Sequence, residues 1–226
     1  ALSLGNLAVL LRAKGDLNEA EHLQRRVLAT IEKVLGPDHP DTASSLNNLA
    51  VLLDAKGEFE EAEHLQRWAL VISEKNLGPD HPHTASSMKN LAVTLYAKEE
   101  FEEAELLYRR ALDAREKVLG PDHPHTASCM KSLADLLYVK KDFKEAEHLH
   151  RRALVIQEKV SGPDHPYTAS SLNSLAVLLS AKGDFKEAEK LYRRALTIQE
   201  KILGPDHLSS CTTKNNLDRL LVKIRK

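Results

Sequence analysis

The chain has 226 residues, 42% hydrophobic but only 4% aromatic, so its apolar supply is mostly Ala, Leu and Val and suits several thin cores better than one deep one. Lys and Arg number 32 against 33 Asp and Glu, and the resulting formal charge of −1 excludes an overall electrostatic pull toward nucleic acid or an anionic membrane. No apolar run approaches the ~20 residues of a membrane span, the start lacks a signal-peptide pattern, and two cysteines make no disulfide framework, so a soluble, cytoplasmic protein is expected.

A period of 42 residues organises the chain, with Gly-Pro-Asp-His beginning at Gly36, Gly78, Gly120, Gly162 and Gly204. Before Gly36 the chain opens inside a helix with no upstream copy of that string, as a fragment of a longer array would. A second helix follows, with Leu17 at the position that Phe59, Phe101, Phe143 and Phe185 hold later. The next unit shows the plan in full. Leu46, Leu49, Ala50 and Leu53 recur at i, i+3, i+4 and i+7, which predicts a first helix, A, from Pro40 to Lys56. The Asp38 carboxylate is expected to cap it, and Pro40 is tolerated in a first turn that needs no N–H. Gly57 supplies a left-handed turn, and a second helix, B, turns Phe59, Ala62, Leu65, Ala69 and Leu70 inward until Gly78-Pro79 ends it.

Later units repeat this plan, except that Glu99 and Lys141 replace the turn glycine, at a cost of about 0.5–1 kcal/mol each if φ stays positive. Glu21–Arg25, Glu63–Arg67, Glu105–Arg109, Glu147–Arg151 and Glu189–Arg193 are i,i+4 pairs that mark solvated outer faces, each contributing about 0.2–0.5 kcal/mol. Trp68 falls on that side, packed in part against a neighbour. Residues 208–226 form one last helix whose Lys214, Asp218 and Arg219 depart toward polarity, as a cap requires; with Lys223, Arg225 and Lys226 it is locally basic.

A helix pair of this kind cannot cover its own apolar face, so the units must stack. The expected fold is all-α: a right-handed α-solenoid of five antiparallel helix pairs plus a C-terminal capping helix. It forms a single domain over 1–226, with units at about 1–35, 36–77, 78–119, 120–161, 162–203 and 204–226.

Catalytic and metal chemistry find no support. His39, His81, His123, His165 and His207 occupy one loop position a full repeat apart, too far to share a metal bonded at about 2 Å, and read as capping or loop-packing residues. His83 and His125 add a second ring without a completing Cys or acid, and His148 and His150 read as surface and inter-helix residues. Cys129 and Cys211 replace small helix residues nearly two repeats apart. No nucleophile elbow, phosphate-cradling loop or zinc-helix motif occurs, so neither enzyme nor cofactor is expected.

The Leu-Ala of helix A, the Ala-Lys-Gly-Asp/Glu-Phe turn, the Glu-Ala-Glu opening of helix B and its later Ala-Leu resemble tetratricopeptide repeats lengthened to 42 residues. Leu46-Asn47-Asn48-Leu49-Ala50 and Arg115-Glu116-Lys117-Val118-Leu119-Gly120-Pro121-Asp122-His123-Pro124 are similar to the repeats of kinesin light chain, a cargo-adaptor subunit, and also resemble arrays in nephrocystin-type and NOD-like signalling proteins. The resemblance implies a concave groove lined by helix A that takes an extended peptide, in kinesin light chain an acidic one with a Trp or Leu-Phe-Pro element.

Groove-facing positions of that family correspond here to Asn47, Lys89, Lys131 and Asn173; to Val51, Val93, Asp135 and Val177; and to Asp54, Tyr96, Tyr138 and Ser180, with Asn6, Asn48 and Asn90 beside the first row. Lys89 and Lys131 suit carboxylates, the Asn amides suit an extended backbone, and Tyr96, Tyr138 and Val93 suit an apolar anchor, with Asp135 breaking a uniformly basic surface. The implied function is a non-catalytic module that binds a protein or peptide, acidic with an apolar anchor, with no nucleic acid or membrane partner. The alternative is a structural array that associates end to end, or the sensor arm of a NOD-like signalling protein.

Overall fold

The computed structural model describes residues 2–225, the side chains of residues 2, 3, 5, 6, 9 and 13 excepted. The described residues form helices with no strand between them: α1 (Leu2–Lys14), α2 (Leu17–Leu35), α3 (Pro40–Lys56), α4 (Phe59–Leu77), α5 (Pro82–Ala97), α6 (Phe101–Leu119), α7 (Pro124–Val139), α8 (Phe143–Ser161), α9 (Pro166–Lys182), α10 (Phe185–Leu203) and α11 (Leu208–Ile224). They gather into two compact units, Ala1–Val118 and Leu119–Lys226, each described by itself.

In the first unit α2 packs between α1 and α3, and α4 between α3 and α5. Leu46, Leu49, Ala50 and Leu53 of α3 meet Ala62, Leu65, Ala69 and Ile72 of α4, with Leu28 and Trp68 closing the edge. The alanines are fully buried and let the helix axes approach, while each enclosed Leu contributes about 1.5–3 kcal/mol. In the second unit α8 packs between α7 and α9, and α10 between α9 and α11, around Ala169, Leu172, Ala195 and Ile198. The four phenylalanines are only half-buried, so Leu and Ala rather than Phe fill the deepest positions.

Helix starts depart from expectation in one respect. The cap of α3 is His39, not Asp38: its backbone is extended (φ −79°, ψ 143°) immediately before Pro40, and its Nδ1 accepts the Asp41 N–H at 3.1 Å. His81, His123, His165 and His207 do the same for α5, α7, α9 and α11. Asp38 lies one residue too early to reach those amides and instead binds Lys75 at 2.7 Å, as Asp80 binds Lys117 and Asp122 binds Lys159. A second clamp follows three residues after the histidine, where the Thr42, Thr126, Thr168 and Ser210 hydroxyls donate to the carbonyls of Gly36, Gly120, Gly162 and Gly204.

Gly57 and Gly183 take the left-handed conformation at the turns after α3 and α9, and Glu99 and Lys141 keep φ at 64° in the equivalent turns. The five Glu–Arg pairs form within their helices, but their glutamates are largely covered. Glu63 also accepts Lys98 of the next turn at 2.5 Å, and Arg67 reaches on to Glu103 at 2.6 Å. Glu21, Arg25, Lys56 and Glu61 repeat this arrangement, as do Glu147, Arg151, Lys182 and Glu187. What reads in sequence as decoration of single helices therefore ties one repeat to the next. Lys56 and Lys182 hold the carboxyls of Glu21 and Glu147 below the usual range, against the opposing effect of burial, with help from Arg25 and Arg151.

Candidate functional site

Side chains of helix A point along the helix axis toward its start, so positions four apart share one face and the expected rows lie on α3 and α5 in the first unit and on α7 and α9 in the second. In the first unit Asn48 and Val93 are exposed, while Asn47, Lys89, Asn90 and Tyr96 are half-buried. Asn47 spends one end of its amide on its neighbour, donating from Nδ2 to Ser87 Oγ at 2.8 Å. Tyr96 lays its ring edge-on to Phe101, centroids 5.8 Å apart. It is thus anchored at one face rather than standing free.

In the second unit Lys131, Asp135, Tyr138 and Asn173 are all half-buried. Asn173 Oδ1 accepts from Thr213 Oγ1 at 3.2 Å and Asn216 Nδ2 at 3.4 Å, the same helix-to-helix link that Asn47 makes. Tyr138 leans on Phe143, centroids 5.9 Å apart, and borders a cleft of about 160 Å³ with Val177, Tyr192, Asn216 and Arg219. Rows one and three thus serve both structure and surface: Asn links, Tyr braces, and Lys carries the charge.

Beneath these rows lies a layer that reading helix A alone misses. Gln24, Gln66, Tyr108, His150 and Tyr192 occupy one helix B position at the 42-residue period, and all are buried. Its signal was available in the register, as a hydrogen-bonding side chain at an otherwise apolar inner position.

Each member meets helix A differently. Gln66 Nε2 donates to Asp54 Oδ2 at 3.1 Å, and Thr94 Oγ1 lies 2.7 Å from Gln66 Oε1 and 2.8 Å from Asp54. The single Thr94 hydroxyl hydrogen is shared among these acceptors, and burial raises the Asp54 carboxyl above its usual range against the hydrogen bonds from Thr94 and Gln66. His150, 2% exposed, sets Nε2 3.4 Å from Asp135. Burial, helped by Lys131, lowers the imidazole to about 4, while burial raises Asp135 against the pull of Lys131. A neutral imidazole N–H facing the carboxyl is the arrangement that follows. Tyr192 is pushed up to about 12 by burial and by Tyr138.

No group of three or more His, Cys, Asp or Glu side chains among the described residues has metal-binding geometry. The loop histidines give Nδ1 to their caps, and His83, His125 and Tyr167 pack their rings on His81, His123 and His165. Cys129 is a buried and Cys211 an exposed free thiol. What these elements present is a set of charged, amide and aromatic groups with hydrogen-bonding capacity, braced from beneath by a buried polar layer.

Comparison with known proteins agrees with this architecture. One tetratricopeptide repeat profile matches residues 1–75, 107–154, 133–201 and 175–223, and a second matches 84–125. No curated protein matches the sequence. Among solved structures, the chain is similar to BtubC (BKLC) from P. vanneervenii, at 30% identity over 89% of this chain and 80% of that one, TM-score 0.77. It is similar to the nearly identical TPR-like repeats of a kinesin light chain-like protein of Podosopora anserina, at 29% identity over 88% and 94%, TM-score 0.73. The apo form of RapI shares the fold alone, at 15% identity over 98% and 83%, TM-score 0.74. The chain belongs to the tetratricopeptide repeat family, with repeats of the 42-residue, kinesin light chain-like type.

Proposed function

We propose that this protein is a non-catalytic binding module that holds a peptide segment of a partner protein along its helix A rows, selecting it by shape and charge without turnover. The observation that carries this reading is the chemistry left within reach of solvent on those rows: Lys89, Asn90, Val93 and Tyr96 in one unit, Lys131 and Tyr138 in the other. Ammonium groups bind carboxylates, amides bind an extended backbone, and a braced tyrosine ring gives an apolar contact at low entropic cost. The favoured segment is acidic with one large apolar side chain. Asp135 tempers the charge beside Lys131, so acidic residues of the ligand are expected opposite Lys89 first. A peptide array probed with the native chain and with the Lys89→Glu, Lys131→Glu double variant tests this. Acidic peptides with an aromatic or Leu anchor should be captured by the native chain and lost by the variant, and equal capture by both rejects the reading.

One observation favours a second reading, end-to-end association: α11 exposes Leu208, Val222 and Ile224. Light scattering across a concentration series separates the two, since association raises the mass with concentration and a monomeric binder does not.

A further inference from the structure

The ion pairs that tie one helix B to the next are complete at some steps and broken at one. Where Arg67 of α4 binds Glu103 of α6, a second tie follows seven residues on, with Glu74 of α4 accepting Arg110 of α6 at 2.6 Å. Between α8 and α10 the same two ties form, Arg151 to Glu187 and then Glu158 to Arg194 at 2.6 Å. Between α2 and α4 the first tie is present, Arg25 to Glu61 at 2.9 Å, but the second is not. Glu32 of α2 keeps the acid of Glu74 and Glu158, while Trp68 of α4 stands where Arg110 and Arg194 stand. Glu32 accordingly makes no ion pair or side-chain hydrogen bond among the described residues.

Seven residues are two helical turns, so the tie of Arg25 to Glu61 brings Glu32 and Trp68 to one shared face of α2 and α4. Trp68 is half-buried there and packs with Leu28, one turn before Glu32, against the edge of the α3 and α4 core. Nearby cations are already engaged: Arg25 binds Glu21 and Glu61, and Lys75 binds Asp38. One turn beyond Glu32 and Trp68, Leu35 and Val71 are exposed at 44% and 61%. An unpaired carboxylate beside an indole matches a guanidinium, which lays its plane on the ring and donates to the acid, with apolar contact left for its carbon stem.

We propose that Glu32 and Trp68 form a docking site for an arginine side chain of a partner protein, which takes toward Glu32 the part that Arg110 takes toward Glu74 from within the chain. The chain's own pattern selects arginine over lysine, because the residue that Trp68 replaces is Arg in every other unit. The partner's segment is basic at this point. The site lies on helix B, uses neither Lys89 nor Lys131, and stands apart from the helix A reading built on them.

Trp68 is the single tryptophan of the chain, so its fluorescence reports on this site alone. The full chain is titrated with capped Ala-Arg-Ala and with capped Ala-citrulline-Ala, which keeps the shape of the arginine without its charge. The emission should change saturably with the arginyl peptide and not with the citrullinyl one. Glu32→Gln, which preserves size, should weaken binding at least tenfold at an unchanged denaturation midpoint. Trp68→Arg, which rebuilds the internal tie, should abolish binding as followed by backbone amide shifts of the 15N-labelled chain. The Lys89→Glu, Lys131→Glu variant should bind the arginyl peptide as the native chain does, so that a failure here and a failure of the helix A reading are told apart. Absence of a saturable change, an equal change with citrulline, or binding that survives Glu32→Gln or is lost with the double lysine variant overturns the proposal. So does a mass that rises with concentration for the native chain and not for Glu32→Gln, which would assign the arginine to a second copy.

Discussion

An imidazole nitrogen that accepts a first-turn N–H satisfies one of the open donors of a helix start without bringing a charge. His39 does this for α3 while Asp38 beside it holds Lys75 at the surface. His39→Ala should therefore cost about 0.5–2 kcal/mol in denaturant unfolding, the range of a lost cap. Asp38→Ala should cost under about 1 kcal/mol and lose that effect in high salt, as an exposed pair does. A larger loss from Asp38→Ala would return the cap to the carboxylate.

His150 gives a second residue-scale test. Its pKa is lowered to about 4, so between about pH 6.5 and 4 the unfolded chain binds a proton that the folded chain refuses, and stability rises with pH across that window. Moving from pH 7 to pH 5 should remove about 2 kcal/mol. Asp135, raised by burial, acts in the opposite sense, so the comparison is with His150→Tyr, the residue type at positions 108 and 192. The variant should show a correspondingly flatter stability profile over that range, and an unchanged profile would remove His150 from the account.

At the scale of elements, α3 runs from Pro40 to Lys56 as its sequence predicts, because Pro at the first turn and Gly after the last are local signals that need no tertiary knowledge. The cap was less legible, since Asp38 and His39 are adjacent candidates and only backbone geometry decides between them. The ties from Arg25 to Glu61, Arg67 to Glu103 and Arg151 to Glu187 were hidden for another reason: their spacing of 36 residues belongs to stacking rather than to any helix period. The same holds for the candidate site. Its helix A rows could be read from the repeat, but that Asn47 and Asn173 turn toward the next helix, and that Gln66 and His150 lie beneath, depended on side-chain packing.

The turns after α5 and α7 carry their own prediction. A side-chain-bearing residue in the left-handed region costs ~1–2 kcal/mol, offset in part by the backbone freedom that glycine loses on folding. Glu99→Gly and Lys141→Gly, both at φ 64°, should thus each stabilise the protein by about 0.5–1 kcal/mol, measured as a rise in the denaturation midpoint at unchanged slope.

At the scale of the whole molecule, the low aromatic content and near-zero charge of the opening composition become consequences of the repeat. Each thin interface is filled by Ala and Leu, and opposite charges balance partly through pairs that join one repeat to the next. Stability in such an array is approximately a sum of repeat and interface terms, which leaves positions outside the interfaces free to vary. Lys89 and Lys131 stand where the first and last full units have Asn47 and Asn173, whose amides bond the next helix.

The most direct measurement is a calorimetric titration of one array-selected acidic peptide, and of the same peptide with its acids changed to Lys, against the native chain and the Lys89→Glu, Lys131→Glu variant. The account predicts that the variant loses the acidic peptide by tenfold or more and gains the lysine peptide. Equal affinity of the acidic peptide for both proteins would contradict it.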